Sequence, residues 1–125
     1  MSPVNGGFIR GNEVRDNLLV GDFHFTDTET LDENQDLERG AVLGRKTANG
    51  RVVLSDDGAA DGSETPEVIL LEDATTGAGE TANVPVLVFG QVNENDISFG
   101  GTHDKTTVKA PLKSAGVYLV KSRPG

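Results

Sequence analysis

Apolar residues in this chain occur in short runs separated by turn-forming residues, and this pattern sets the fold class. Residues 52–54 (Val-Val-Leu) and 68–71 (Val-Ile-Leu-Leu) have the length of β-strands and are too short for helices. Gly, Asp, Asn and Pro stand between such runs and favour turns. The pattern predicts a mostly β or α+β fold, namely a small barrel-like β domain with long loops.

The dipeptide Asn49-Gly50 is the strongest turn signal in the chain. Both residues accept positive φ, which the two-residue turns of β-hairpins require. Strand-forming residues flank the dipeptide at 41–45 and 51–54, so we predict a β-hairpin over residues 41–54.

Further strands are predicted on both sides of this hairpin. Residues 18–20 and 23–26 are predicted as two short extended segments with a break at Gly21-Asp22. Side chains alternate along a strand, so Phe23 and Phe25 should share one face and His24 the other. After the hairpin, the sequence predicts strands at 67–72, 84–92 and 117–120.

The one helix candidate lies late in the chain, between residues 104 and 115. Its apolar stripe is Val108, Leu112 and Ala115. Its parallel basic stripe is Lys105, Lys109 and Lys113. Thr102 or Asp104 can cap its start, and Gly116 suits its end. A proline inside a helix removes a hydrogen bond, so Pro111 predicts a later start and a short C-terminal helix over about 107–115.

Charge is strongly segregated along the sequence. The formal net charge is −9, yet residues 39–51 hold four bases and residues 105–125 hold five, with no acid in either segment. Residues 22–38 hold seven acids and residues 52–104 hold eleven, with no Lys or Arg in either segment. The excess of acid argues against binding to nucleic acid or to anionic membranes. The bases belong either to separate surface loops or to a basic tail packed beside acidic loops, in the same or a neighbouring subunit.

Few residues in the chain point to catalysis or to a metal. There is no cysteine, which excludes disulfides, thiol nucleophiles and Cys-ligated metals. No nucleophile motif accompanies His24 or His103, so we predict ordinary strand or surface roles for both. The loop 56–64 is rich in carboxylates, but their spacing departs from an EF-hand, which leaves a solvated loop or a loose cation site. We therefore predict no enzyme, no cofactor and no resident metal.

A chain of 125 residues has the size of one domain. Residues 1–17 combine Gly and Pro with scattered apolar residues that follow no regular period. They predict a flexible N-terminal arm, followed by a single β-rich domain over residues 18–125. The arm is either a plain tail or a segment that becomes ordered on a partner as an added strand. Its main apolar spot is Phe8-Ile9.

The order of these segments resembles that of the lambda-type phage head decoration proteins. Each segment alone is a short Gly-punctuated strand, whereas the ordered series over about residues 18–120 is considerably more specific. The matching segments are LLVGDF (18–23), LERGAVLG (37–44), NG (49–50), DGSETPEVILLED (61–73), VLVFG (86–90) and TVKAPLKSAGV (107–117). Pro111 departs from the pattern, because a good helix former is expected at this position of the family.

The resemblance implies a capsid accessory protein that is made in the host cytoplasm and carried on the virion. Proteins of this family bind as trimers at threefold or quasi-threefold positions on the outside of the expanded head. They stabilise it against the pressure of packaged DNA. The implied partners are the major capsid protein and further copies of the chain, and the implied capsid-binding residues of the arm are Val4, Phe8, Ile9 and Arg10. The alternative is a small β-barrel module that binds protein or carbohydrate and has no capsid role.

Overall fold

Five strands close into a barrel in a computed structural model that describes residues 18–121, without the side chains of Asp22 and Phe23. The described elements are β1 (Leu19–Leu31), β2 (Asp36–Leu37), β3 (Val42–Arg45), β4 (Val52–Leu54), β5 (Pro66–Leu70), β6 (Ala74–Thr75), β7 (Ala82–Asn93), α1 (Lys105–Ala115) and β8 (Val117–Val120). The barrel order is β1-β4-β3-β5-β7, and β7 closes the ring because it pairs with both β5 and β1. The predicted mostly β, barrel-like fold with one short helix is confirmed.

The seams of the barrel differ greatly in length. β1 and β7 run antiparallel from the pair Leu19–Val92 to the pair Leu31–Ala82. β1 and β4 meet at a single parallel pairing, Leu31 with Val52. Strand β8 lies outside the ring, parallel to β7, and pairs with β7 on one edge only among the described strands. β2 and β6 form a separate two-stranded sheet.

Two hydrophobic cores lie on opposite sides of the barrel wall. The interior core takes aliphatic side chains from all five barrel strands: Leu31, Leu43, Val52, Val68, Leu70, Val84 and Val86. The outer core packs the wall against α1 and β8: Leu18, Val42, Ile69, Leu87, Val92, Val108, Leu112, Val117 and Leu119. Neighbours on one strand divide between the cores because side chains alternate across a sheet, as Val68 and Ile69 do.

The predicted hairpin is confirmed as β3 and β4, which pair antiparallel with Gly44 opposite Val53. Within its loop, Gly50 adopts a φ of 72° and donates its N–H to the Lys46 carbonyl at 2.9 Å. Asn49 contributes through its side chain, whose Oδ1 accepts the Arg51 N–H at 3.0 Å. The expected two-residue turn is wrong, because residues 46–51 connect the strands and Asn49 does not adopt a positive φ. The dipeptide therefore forms the turn by a backbone role for Gly50 and a side-chain role for Asn49.

The prediction of two extended segments before the hairpin is wrong, because both belong to the one strand β1. Val20 pairs with Gln91 and Phe25 with Phe89, so five residues of β1 span two residues of β7. The extra residues form a bulge in which Gly21 has a φ of 79°. The predicted break is thus an irregularity inside a continuous strand. The shared face of Phe23 and Phe25 involves a side chain outside the described ones.

The predicted late start of the helix is also wrong, because α1 spans Lys105–Ala115 and contains Pro111. Asp104 is the N-cap: its Oδ1 accepts the Thr107 N–H at 2.9 Å, and its own N–H donates to Thr107 Oγ1 at 2.8 Å. This reciprocal capping box satisfies backbone donors that the first turn leaves open. Capping and packing together therefore outweigh the single hydrogen bond that Pro111 removes.

The faces of α1 follow the predicted stripes in part. Val108 and Leu112 are fully buried in the outer core, whereas Ala115 is exposed. Gly116 ends the helix with a φ of 114°, as predicted. In the part of the chain that the structure describes, no helix is long and apolar enough to cross a membrane.

Candidate functional site

The residues predicted to contact a partner lie outside the described part of the chain: Val4, Phe8, Ile9 and Arg10. The structure does describe Leu18, the residue that directly follows the predicted arm. The Leu18 carbonyl accepts the Asn93 N–H at 2.7 Å, and Asn93 pairs with Val120 on the other edge of β7. Leu18 and Lys121, the first and last described residues, are therefore at one end of the sheet, which we call the Leu18 end.

Three aromatic rings lie side by side on β1, β7 and β8 near this end, and we call them the aromatic ladder: Phe25, Phe89 and Tyr118. The ring centroids of Phe25 and Phe89 are 5.6 Å apart, and those of Phe89 and Tyr118 are 6.1 Å apart with the rings edge to face. Phe25 is 52% exposed and Tyr118 is 37% exposed, and they are the exposed large hydrophobic residues of the described part. These separations are typical of favourable aromatic pairs, which fix one another's orientation.

Sequence reasoning did not single out the aromatic ladder. One local signal exists, since Tyr118 alternates with buried Val117 and Leu119 along β8. The neighbour relation of the three rings depends on strand pairing across the barrel, which no local pattern in the sequence specifies.

At the hairpin end of the barrel, Arg45 joins three strands. Its guanidinium binds Glu29 of β1 through two bonds of 2.9 and 2.7 Å, and Glu67 of β5 at 2.7 Å. Its Nη1 also donates to the Gly50 carbonyl at 2.8 Å. Hydrogen bonds to Glu29 first and to Glu67 second raise the pKa of Arg45. We call this arrangement the Arg45 clasp.

A second cluster next to it is centred on Asp32, whose side chain is 5% exposed. Asp32 Oδ2 accepts Lys46 Nζ at 2.8 Å, and Oδ1 accepts Arg51 Nη1 at 3.3 Å. The Lys46 hydrogen bond, the Glu33 backbone N–H and Arg51 lower the pKa of Asp32 from 3.8 to about 2, against the opposing effect of burial. The same contact raises the pKa of Lys46. We call this the Asp32 clasp.

The bases of the helix stripe are placed differently. Lys105, Lys109 and Lys113 are exposed, and none of them forms an ion pair with a residue of 18–121. Lys105 Nζ donates to the neutral Asn95 Oδ1 at 2.6 Å. The bases that pack beside acids within the described chain thus come from the segment 39–51, and not from the basic tail.

His103 has a structural role between α1 and the loop before β5. Its Nε2 lies 3.0 Å from the Glu64 carbonyl, to which it donates, and Nδ1 lies 2.9 Å from Thr107 Oγ1. Ser55 Oγ is 3.3 Å from Nε2, but Ser55 is fully buried and donates its hydroxyl to the Ser63 carbonyl at 2.8 Å. This arrangement does not present a nucleophile.

His24 likewise serves the backbone. Its Nε2 lies 3.0 Å from the Val20 carbonyl, and a carbonyl only accepts, so His24 donates a hydrogen bond across the bulge of β1. Both histidines are therefore used to hold chain segments in place.

The carboxylates of loop 56–64 bind groups of the chain itself. Asp61 Oδ1 accepts the Ser63 N–H at 3.0 Å and the Ser63 hydroxyl at 2.5 Å, and Asp57 accepts both donors of Thr102. These hydrogen bonds, chiefly from the Ser63 and Thr102 hydroxyls, lower the pKa of Asp61 and of Asp57. Among residues 18–121, no group of three or more His, Asp or Glu side chains is placed to hold a metal ion.

A family model for bacteriophage lambda head decoration protein D matches residues 9–117 of the chain. The chain belongs to this family. The match covers every described element up to the first residue of β8, together with part of the segment before Leu18. A comparison with curated proteins found no match. The family is one of structural phage head decoration proteins and not an enzyme family. Membership implies that the protein decorates the phage head, binds the phage capsid and is located on the capsid of the virion.

Proposed function

We propose that the protein binds the outer surface of the expanded phage head as a trimer, at threefold and quasi-threefold sites, and stabilises the head against the pressure of packaged DNA. The observation that carries the proposal is the family match over residues 9–117. The trimer, its positions and its stabilising effect follow from the resemblance of the sequence to lambda-type decoration proteins.

The architecture of the described residues supports a load-bearing role. Each of the five barrel strands pairs with a neighbouring strand on both sides, so the ring is held together at every seam. The Arg45 clasp connects β1, β3 and β5 through side chains, and the two cores pack both faces of the barrel wall. Without cysteine, such a protein resists force by noncovalent contacts alone, which suits assembly in the host cytoplasm.

The proposal divides the chain into an arm, residues 1–17, and one domain, residues 18–125. The arm contacts the major capsid protein through Val4, Phe8, Ile9 and Arg10. The family match begins at residue 9 and so includes part of the arm, which supports a role for it within the family. Three arms on one trimer bind at a high effective concentration, which offsets the cost of ordering each arm.

Co-sedimentation with heads tests the function directly. Full-length protein is mixed with expanded, undecorated heads built from the capsid protein of the same phage, and the bound copies are counted. We expect saturation near one copy per capsid subunit, with bound protein in multiples of three and greater resistance of filled heads to heating. Absence of binding would overturn the proposed function.

Deletion of residues 2–16 tests the arm. The truncated protein should keep its circular dichroism spectrum and melting temperature, because the barrel and both cores lie within residues 18–121, and it should lose head binding. A matched full-length control, Asn5→Ser, should bind like the unaltered protein. Decoration by the truncated protein with unchanged affinity would contradict the proposed arm.

A further inference from the structure

We propose that the basic stripe of α1 contacts a second copy of this chain, at exposed carboxylates beside the small sheet of β2 and β6. We call these three carboxylates the acidic ridge: Glu33, Asp36 and Glu80. This inference rests on the proposed trimer and names the surfaces that join its copies.

The basic stripe has no charged partner within the described chain. Its three lysines are exposed, and none of them forms an ion pair with a residue of 18–121. Lys105 donates to the neutral side chain of Asn95, which leaves its charge uncompensated. No acid lies within α1, because Asp104 is its N-cap, and like charges four residues apart repel one another on a helix. A negatively charged partner would relieve this repulsion.

The helix holds the stripe in a fixed place on the barrel. Val108 and Leu112 of α1 are fully buried in the outer core, and the capping box and Gly116 fix its two ends. Small, exposed residues lie next to the lysines: Thr106, Ala110 and Ser114. Another chain can therefore approach the helix closely and meets the three charges in a fixed order.

The acidic ridge is the complementary surface. Each of its carboxylates is exposed and accepts one hydrogen bond from a backbone N–H or a threonine hydroxyl, at 2.6 Å for Glu33, 2.7 Å for Glu80 and 3.2 Å for Asp36. None of the three forms an ion pair with the described residues, and the bases of the neighbouring Asp32 clasp are bound to Asp32 itself. The ridge thus presents oriented negative charge that residues 18–121 of its own copy leave without a cation.

The stripe and the ridge belong to different sides of the barrel wall. α1 packs on the outer core, whereas Leu37 of β2 and Ala74 of β6 pack on the interior core. A contact between the two surfaces therefore needs two copies, and each copy offers one surface of each sign. Contacts between unlike patches are head-to-tail, and they close into a ring when the rotation between copies allows it. Closure after three copies gives the proposed trimer.

Length and charge favour a second copy in this arrangement over other occupants. The stripe spans about 12 Å along the helix axis. Glu33 and Asp36 are at most about 11 Å apart along the chain, so the two surfaces have similar lengths. A head-to-tail contact compensates both surfaces of every copy. A symmetric contact of stripe with stripe would bring like charges together, and an acidic segment of the capsid protein would leave the ridge uncompensated.

Zero-length cross-linking tests the contact directly. Full-length protein labelled with heavy nitrogen is mixed with unlabelled protein and left to exchange subunits. One sample is bound to expanded, undecorated heads and another is kept free at high concentration. Both are treated with a carbodiimide, which joins an amine to a carboxylate that touches it. We expect mixed-isotope links between stripe lysines and ridge carboxylates. Links from the stripe to the capsid protein, links within one copy only, or no link from the stripe in either sample would overturn the inference.

Charge reversal tests whether attraction between the surfaces holds the copies together. Lys109→Glu should lower the association constant about fivefold per contact at low salt, read from sedimentation equilibrium of the free protein and from its isotherm on heads. Asp36→Lys should have a similar effect, and the variant that carries both changes should recover most of the loss. The matched control Lys121→Glu reverses an exposed base outside the stripe and should associate normally. Melting temperatures show whether each variant is folded.

Weakened association of both single variants without recovery in the double variant would overturn the pairing of stripe and ridge. If the unaltered protein does not bind heads, the proposed function fails, whereas cross-linking of the free protein still tests the contact between copies. If the protein binds heads and shows no mixed-isotope link from the stripe, only the inference fails.

Discussion

The two ends of the barrel use charged and apolar side chains in opposite ways. At the hairpin end, three bases of the segment 39–51 form ion pairs with buried or half-buried carboxylates of the same chain, namely Arg45, Lys46 and Arg51. At the Leu18 end and along α1, aromatic rings are exposed, and the stripe Lys105, Lys109 and Lys113 forms no ion pair within the described residues. The first region satisfies its own groups, whereas the second presents them to the surroundings.

The difference follows from where the barrel is weakest. β1 and β4 share a single pairing, Leu31 with Val52, and Asp32 follows directly and donates its N–H to the Val52 carbonyl at 3.0 Å. The Asp32 clasp adds two ionic contacts at this same seam, from Lys46 and Arg51. At the Leu18 end the β1–β7 pairing continues to Leu19, so that end does not need its side chains for closure.

The largest loss of stability should come from Gly44→Ala, in strand β3 directly before Arg45. A Cβ at Gly44 in β3 overlaps the backbone carbonyl of Ser63, and backbone cannot move aside as a flexible side chain does. We expect a loss of about 3 kcal/mol in the free energy of unfolding, measured by urea denaturation. The control Gly58→Ala meets only the Asp56 side-chain oxygen at 3.3 Å and should cost far less. Equal stability of the two variants would show that the backbone at Ser63 can move aside to accept the added methyl group.

The second-largest loss of stability should come from Asp32→Asn. The change removes the carboxylate that both Lys46 and Arg51 bind, and it should cost about 2 kcal/mol at pH 7, because those two cations are themselves partly exposed and can be solvated. The matched control is Glu72→Gln, an exposed acid, with an expected change below about 0.5 kcal/mol. Urea denaturation of both variants measures the difference.

The pH dependence of stability tests whether ionised Asp32 stabilises the fold. The pKa of Asp32 is about 2 in the folded protein and 3.8 as its ordinary value, so the ionised form stabilises the fold above about pH 4. This contribution should disappear as the pH falls from about 4 to about 2. The stability of Asp32→Asn should fall less steeply over that range, and parallel curves for the variant and the unaltered protein would contradict the role of the Asp32 clasp.

Local sequence signals predicted the elements of the fold better than their limits. The hairpin at Asn49-Gly50 and the caps of α1 depend on residues close together in sequence, and the structure contains both. The predicted boundaries of strands and helices were wrong where contacts between residues distant in sequence determine them. β1 continues through its Gly21 bulge because β7 pairs with it, and α1 begins at Lys105 rather than at residue 107, with Pro111 in its interior, because its apolar face is buried in the outer core.

The candidate surfaces were predicted less well, for a related reason. Segregated charge was visible in the sequence, but which bases are neutralised depends on strand order, which brings Glu29 and Glu67 to opposite sides of Arg45. The aromatic ladder unites residues from three strands in the same way. The arm residues inferred from the resemblance remain a prediction.

The smallest expected effect comes from a pair of substitutions that compares the two regions directly. Each substitution removes one positive charge, the first from the Arg45 clasp and the second from the basic stripe of α1. Arg45→Gln leaves Glu29 and Glu67 without their shared cation, and it should cost about 1 kcal/mol, since the clasp is partly exposed and screened by water. Lys109→Gln removes an exposed charge of α1 and should change stability by less than about 0.5 kcal/mol. Raising the salt concentration should narrow the gap between the two variants, because salt weakens the ion pairs that only Arg45 makes. If Lys109→Gln proves as costly as Arg45→Gln in urea denaturation, the helix stripe takes part in stabilising the fold, and the contrast between the two ends of the molecule does not hold.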